Sequence, residues 1–126
     1  MNWGLIIALA LVVGILALRR LSFIPAGRAQ EFLRAGALVI DVRDLEEFNS
    51  AHIPGAINIP LGSLSTEAPR RFQDKGHVLL LHCLSGARSG IAARKLKRLG
   101  YSRVFNLGSY GRAEGLVRAA TNIIPP

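Results

Sequence analysis

The hydrophobic and polar positions divide the chain into two unlike parts. From Met1 to Leu18 no side chain carries a charge, and Trp3 to Leu18 is apolar throughout, with Gly4 and Gly14 its smallest members. A helix over Met1 to Leu18 rises about 27 Å at about 1.5 Å per residue. That nearly matches a bilayer hydrocarbon core of about 30 Å. Leu21, Phe23 and Ile24 can lengthen it, with Arg19 and Arg20 snorkelling to the interface. Each Leu, Ile or Val contributes about −0.3 to −0.6 kcal/mol to insertion, so the sum favours a transmembrane helix. A cleaved signal peptide carries basic residues before its apolar run and a small-x-small site after it. Here Met1-Asn2-Trp3 has no basic side chain, and Arg19 and Arg20 follow the run. The expectation is a retained membrane anchor with a short connector over 1–24, then one domain over 25–126. The positive-inside rule places Arg19, Arg20 and Arg28 on the cytoplasmic side, giving a single-pass membrane protein with its domain in the cytoplasm.

After Pro25, short apolar runs alternate with helical periodicity. Pro25 suits a helix start, Ala26 to Ala35 reads as the helix, and Gly36 stops it. Ala37 to Ile40 reads as a buried strand. Asp44 can cap a short helix running through Asn49, with Glu46 and Glu47 in its first turn, where the dipole favours acids. Ile57 to Ile59 is a short strand closed by Pro60. A helix over Ser65 to Gln73 and a turn at Asp74-Lys75-Gly76 precede the most strand-like run, His77 to His82. Cys83 to Ala87 is a loop, and Arg88 to Leu99 a helix. That helix turns Ile91, Ala92, Leu96 and Leu99 inward and Arg94, Lys95, Lys97 and Arg98 to water. Val104 to Leu107 is a last strand and Ala113 to Ala120 a last helix. This alternation predicts an α/β fold, a parallel sheet with helices on both faces.

Composition adds two constraints. Lys and Arg number 16 against 8 Asp and Glu, a formal net charge of +8. Such a surplus favours anionic partners. The cations are scattered, aromatics are few, and no zinc-finger or Arg-Gly pattern occurs, so nucleic acid is not the expected partner. There is one cysteine, Cys83, which cannot form an internal disulfide. A lone thiol fits a reducing compartment, as buried filler or as a working nucleophile.

The surroundings of Cys83 favour the second role. Cys83-Leu84-Ser85-Gly86-Ala87-Arg88-Ser89 follows a buried strand and opens a helix. Open parallel sheets bind ligands at the carboxyl ends of their strands. A strand-loop-helix there aims backbone N–H groups and a helix N-terminus at one point. Free cysteine has a pKa of about 8.5. Lowering it by two units takes about 2.7 kcal/mol. A helix N-terminus gives about 0.3–1 kcal/mol, up to about 2 in good geometry. Loop N–H groups, the Ser85 or Ser89 hydroxyl and Arg88 are of the right size to supply the rest.

This loop, together with Asp41-Val42-Arg43, Glu47-Phe48 and His52 to Pro60, resembles the rhodanese family over about Ala26 to Ala120. The resemblance implies a small rhodanese-like domain that transfers sulfur. A donor such as thiosulfate gives sulfane sulfur to the Cys83 thiolate, and the resulting persulfide passes it to cyanide, a thiol or a protein. It implies Cys83 as catalytic residue and Leu84, Ser85, Gly86, Ala87, Arg88 and Ser89 as the substrate-binding loop. The implied partners are a small sulfur-containing anion, a sulfur acceptor and the membrane. No cofactor beyond the persulfide is expected, and no metal-ligand spacing occurs. Arg88 stands five residues after Cys83. Related phosphatases set their arginine one position later, in a wider loop, so the shorter loop favours sulfur over phosphate.

Two departures bear on the donor. Leu84 stands where many members have a basic or polar residue, and Gly108-Ser109-Tyr110-Gly111 replaces a Gly-Gly-aromatic segment. They support a rival reading, a non-catalytic or sulfur-relay binding module. Asp41 and Arg43 are expected to form an internal ion pair that braces the loop. His82 is expected to face the other side of the sheet from Cys83, and His52 to brace its turn. Gly86 should let amides converge. Arg88, at a helix start, is expected to bind an anion rather than to pair with an acid.

Overall fold

The computed structural model describes residues 1–121, with the backbone alone at 19–21. The expected end of the domain at residue 126 and the snorkelling of Arg19 and Arg20 lie outside what is described. The helices are α1 (Trp3–Leu21), α2 (Ala26–Arg34), α3 (Leu45–Ser50), α4 (Leu64–Arg71), α5 (Ala87–Arg98) and α6 (Tyr110–Thr121). The strands are β1 (Leu38–Asp41), β2 (Ile57–Asn58), β3 (Leu79–His82) and β4 (Val104–Gly108). They form one parallel sheet in the order β2-β1-β3-β4, with Leu38 to Asp41 opposite Leu79 to His82.

Helices cover both faces, as strand–helix alternation requires. On one face Ile40, Leu79, Leu81 and Cys83 pack with Leu64, Ala68, Ala92, Leu96 and Tyr101 from α4, α5 and the turn after α5. On the other Val39, Leu80 and Leu107 pack with Ala29, Ala113 and Leu116 from α2 and α6. Strands buried on both sides read as continuous apolar runs, which is why Leu79-Leu80-Leu81 shows no alternation.

Element boundaries differ from expectation in physical detail. β3 begins at Leu79 rather than His77, because the N–H of His77 turns back to the carbonyl of Asp74. α6 begins at Tyr110, three residues early, because Ser109 takes the start of the helix: its hydroxyl accepts from Arg112 N–H and its carbonyl from Ala113 N–H. A short 3₁₀ turn, Leu61–Ser63, precedes α4.

The transmembrane expectation is corrected. α1 forms where the apolar run predicts a helix, but among the described residues no helix is long and apolar enough to cross a membrane. Helix begins only at Trp3, so the apolar part to Leu18 rises about 24 Å, short of about 30 Å. Of the residues expected to lengthen it, Leu21 does end α1, whereas Phe23 and Ile24 belong to the domain. Phe23 pairs in parallel with Asn106 beside β4, and Ile24 is buried among the residues of the second face. Trp3 to Leu18 stands exposed along its length, so no part of the domain covers α1.

Tyr101 ties the two helices of the first face together. It is buried, and its hydroxyl donates to the carbonyl of Phe72, at the end of α4, at 2.6 Å. Tyr101→Phe removes this donor and leaves a buried carbonyl unpaired. The expected loss of stability is about 1–2 kcal/mol, read from the midpoint of urea unfolding at unchanged slope.

Candidate active site

β3 delivers Cys83 to the carboxyl edge of the sheet, and the chain then turns through Leu84 to Gly86 into α5. Gly86 adopts φ +94°, a conformation glycine alone enters readily. That turn points the Gly86 N–H at Cys83 Sγ, 3.0 Å away. The Ser89 hydroxyl lies 3.5 Å from the same sulfur and donates to Asn106 Oδ1 at 2.7 Å. Asn106 Nδ2 in turn donates to the Gly86 carbonyl at 3.0 Å, and Asn106 Oδ1 also accepts from Gly108 N–H. The Cys83 N–H donates to the Gly108 carbonyl.

Burial alone pushes the Cys83 thiol up, because desolvation disfavours the thiolate. Hydrogen bonds from the Ser89 hydroxyl and from the backbone N–H groups of Ser89, Gly86 and Ser85 outweigh it. The thiol is held below its ordinary value. A sulfur met by converging donors has the setting a nucleophilic thiolate requires.

The supporting charges sit around this cradle. Asp41 accepts from Arg43 through its backbone N–H, Nε and Nη2, the last at 2.7 Å, and both side chains are buried. Arg43 Nη2 also donates to the Ala51 carbonyl, and its guanidinium lies 4.7 Å from the centre of the Tyr110 ring. The expected ion pair forms, but it holds the turn after α3 rather than the Cys83 loop. His82 faces Asp41 and Tyr110, away from the Cys83 side chain; its Nε2 lies 3.7 Å from Asp41 Oδ2 and has no hydrogen-bond partner. Burial lowers its pKa, against the attraction of Asp41, which favours the neutral ring. His52 Nδ1 pairs with the Phe48 carbonyl and its ring stacks on Phe48, as a turn brace would.

Arg88 departs from expectation. It is not free at the mouth of the loop but paired to Glu47 by two bonds, Nη1 to Oε1 at 2.7 Å and Nη2 to Oε2 at 3.0 Å. Glu47 also accepts the Asp44 N–H at the start of α3. The Arg88 hydrogen bonds, against a smaller desolvation penalty, bring the Glu47 carboxyl down to about 2. A depressed carboxylate keeps its pair above the ordinary carboxylate range and loses it only as pH falls through about 2. Leu84, Ser85 and Ala87 are exposed at the loop's outer rim, whereas Gly86 and Ser89 are buried.

Sequence reasoning did not single out Asn106 or the partnership of Glu47 with Arg88. Asn106 carried a signal: it is a lone amide in an otherwise apolar strand, and a buried amide needs partners. The Glu47–Arg88 contact joins residues 41 positions apart and had no local signal.

Comparison with known proteins places these residues in context. The family model for the rhodanese-like domain matches residues 26–111. The chain is 39% identical over 69 residues to a putative sulfur carrier protein, YrkF, of Bacillus subtilis, of whose length the match covers only 36%. It is 34% identical over 95 residues to the thiosulfate sulfurtransferase PspE of Escherichia coli, covering 75% of this chain and 85% of PspE. Among solved structures, the human single-domain sulfurtransferase TSTD1 superposes with a TM-score of 0.63 at 28% identity, over 72% of this chain and 93% of TSTD1.

Ser89 is the donor most easily tested. Ser89→Ala removes a hydroxyl whose one proton has both the sulfur and Asn106 Oδ1 within reach, so the Cys83 thiol moves back up toward its ordinary value. Iodoacetamide alkylation at pH 7 is expected to slow roughly threefold to tenfold, with the alkylation profile displaced to higher pH. An unchanged profile shows that the backbone N–H groups alone set the thiolate.

Proposed function

Because the chain belongs to the rhodanese-like family, we propose that it is a sulfurtransferase in which Cys83 carries the sulfur. The observation that carries this reading is the Cys83 sulfur set against the Gly86 N–H and the Ser89 hydroxyl at the entrance to α5. In the first step the Cys83 thiolate attacks the sulfane sulfur of a donor such as thiosulfate. A bond forms between the two sulfurs, the bond to the sulfonate sulfur breaks, and sulfite leaves with its electron pair. In the second step cyanide or a thiolate attacks the outer sulfur of the persulfide. Thiocyanate or a new persulfide leaves, and the Cys83 thiolate is restored. No metal and no organic cofactor takes part in either step.

The loop from Leu84 to Ser89 is the substrate-binding segment in this reading. Its N–H groups meet the attacking sulfur and then the outer one. Arg88→Ala should lower thiosulfate cyanolysis roughly tenfold, because it removes a cation and leaves the Glu47 carboxylate unpaired where an anion must approach. Cys83→Ala should abolish it. The second reading, a sulfur-relay or binding module, is favoured by the Arg88–Glu47 pair, which leaves less charge for a small dianion. Mass spectrometry after exposure to a sulfane donor shows whether Cys83 gains one sulfur, and its absence with every donor leaves the binding module. With that gain, Cys83-dependent thiocyanate formation from thiosulfate supports the enzyme, and its absence supports the relay.

For location, the proposal is the cytoplasmic side of a membrane, where a lone thiol stays reduced. The exposed apolar side chains of α1 support attachment there. In fractionated cells the chain is expected with membranes, and protease should cut the domain in inverted vesicles but not in right-side-out ones. Cleavage only from the outer face rejects this orientation.

A further inference from the structure

The segment between α1 and α2 does more than connect them. Ile24 N–H donates to the Asn106 carbonyl, Phe23 pairs with Asn106, and Arg112 donates to the carbonyls of Ile24 and Leu107. The chain before α2 therefore lies along β4 as an added extended piece. It brings the Phe23 ring against the back of the Cys83 loop. A Cβ placed on Gly86 would meet Phe23 ring carbons at 2.5 and 2.6 Å, and one on Gly108 would meet them at 3.0 and 3.1 Å. The ring thus rests on two glycines, both at positive φ. These two residues make two of the backbone contacts of Cys83: Gly86 N–H donates to its sulfur, and the Gly108 carbonyl accepts from its N–H. The Arg112 guanidinium lies 5.5 Å from the centre of the Phe23 ring. A cavity of about 220 Å³ beside the ring, lined in part by Ser85, Gly86 and Ala87, leaves space into which the loop can relax if the ring is lost.

We propose that Phe23 is a positioning residue for Cys83, pressing Gly86 and Gly108 into the conformation that aims the Gly86 N–H at the sulfur. The chain segment that emerges from α1 therefore sets the reactivity of the thiol, without touching substrate. Gly86 is required at its position on two counts, the left-handed turn and the room for this ring. The inference rests on Cys83 being the reacting thiol but not on any donor or acceptor.

The test is the pH profile of Cys83 alkylation by iodoacetamide, measured on the full chain in mild detergent. Phe23→Ala is compared with Phe23→Leu and with Phe32→Ala. Phe32 stacks on Phe105 at a ring-centre distance of 5.2 Å, among the second-face residues, and serves as a control for loss of an aromatic ring. All three variants retain Arg88 and Arg94 on α5, Tyr110 and Arg112 on α6, and Asp41, Arg43, Glu47 and His82, the charged and titratable groups around the loop. Phe23→Ala is expected to slow alkylation at pH 7 about fivefold and to displace the profile to higher pH, on the scale of one weakened hydrogen bond to a charged group. Phe23→Leu should restore part of the rate, and Phe32→Ala should lower the melting temperature while leaving the profile in place. A wild-type profile in Phe23→Ala overturns the proposal, as does an equal displacement in Phe32→Ala. Should Phe23→Ala fail to fold, a wild-type profile in Phe23→Leu overturns it. Alkylation needs no sulfur donor, so failure of sulfur transfer is read separately.

Discussion

The hydrogen bond from Gly86 N–H to Cys83 Sγ is the contact around which the site is built. It exists only because Gly86 takes a left-handed conformation, and that conformation is held from outside the loop. Asn106, on β4, grips the Gly86 carbonyl with its amide nitrogen. Its oxygen accepts from the Ser89 hydroxyl and the Gly108 N–H. One buried amide thereby fixes the turn, the second donor at the sulfur and the end of β4. Such a network stabilises only when every member is paired, and here the amide oxygen and nitrogen of Asn106 both are.

Burial sets the opposing demand. A sulfur surrounded by the apolar residues of the first face loses hydration, which favours the neutral thiol. Donors fixed in advance replace that hydration without having to reorganise when charge develops. Asp41, a buried carboxylate opposite His82 in the sheet, would work against a thiolate if it were free. It is not free, because Arg43 occupies both its oxygens, and Asn58 ties the backbone carbonyls of Asp41 and Arg43 to β2. The brace therefore neutralises a charge as well as fixing a turn.

The layered parallel sheet was legible because each piece carried a local signal. Leu79 to Leu81 could be little but a buried strand, Gly36 and Gly100 closed helices with positive φ, and the strand-loop-helix around Cys83 follows from sequence order. The Asp41–Arg43 pair was legible too, since two residues separated by one position on an extended chain point the same way. What local pattern did not reveal are contacts that join distant residues. Glu47 meets Arg88 only because α3 and the start of α5 rise from the same edge of the sheet. Phe23 looked like the tail of an apolar helix, because composition cannot tell an apolar residue that meets lipid from one that meets Gly86. In sequence Phe23 and Ile24 read as part of the run they follow, whereas in the fold they lie beside β4.

The charge of the chain acts at two ranges. Close to the sulfur it nearly cancels: Arg88 is matched by Glu47, Arg43 by Asp41, and burial favours neutral His82. What faces an anion arriving there is a set of backbone N–H dipoles at the start of α5, whose influence ends within the first turn. The surplus of +8 resides elsewhere. Part of it lies on α5 itself, where Arg94, Lys95, Lys97 and Arg98 follow the loop, the last three in the final turn. Their field reaches about 8 Å through physiological salt before it is screened. For the anionic donor proposed above, attraction toward this side of the molecule and selection at the sulfur would be different tasks. Scattered cations would serve the first and respond to salt. Fixed N–H geometry would serve the second and would not, which makes the shape of the loop rather than the charge count the discriminating feature of that proposal.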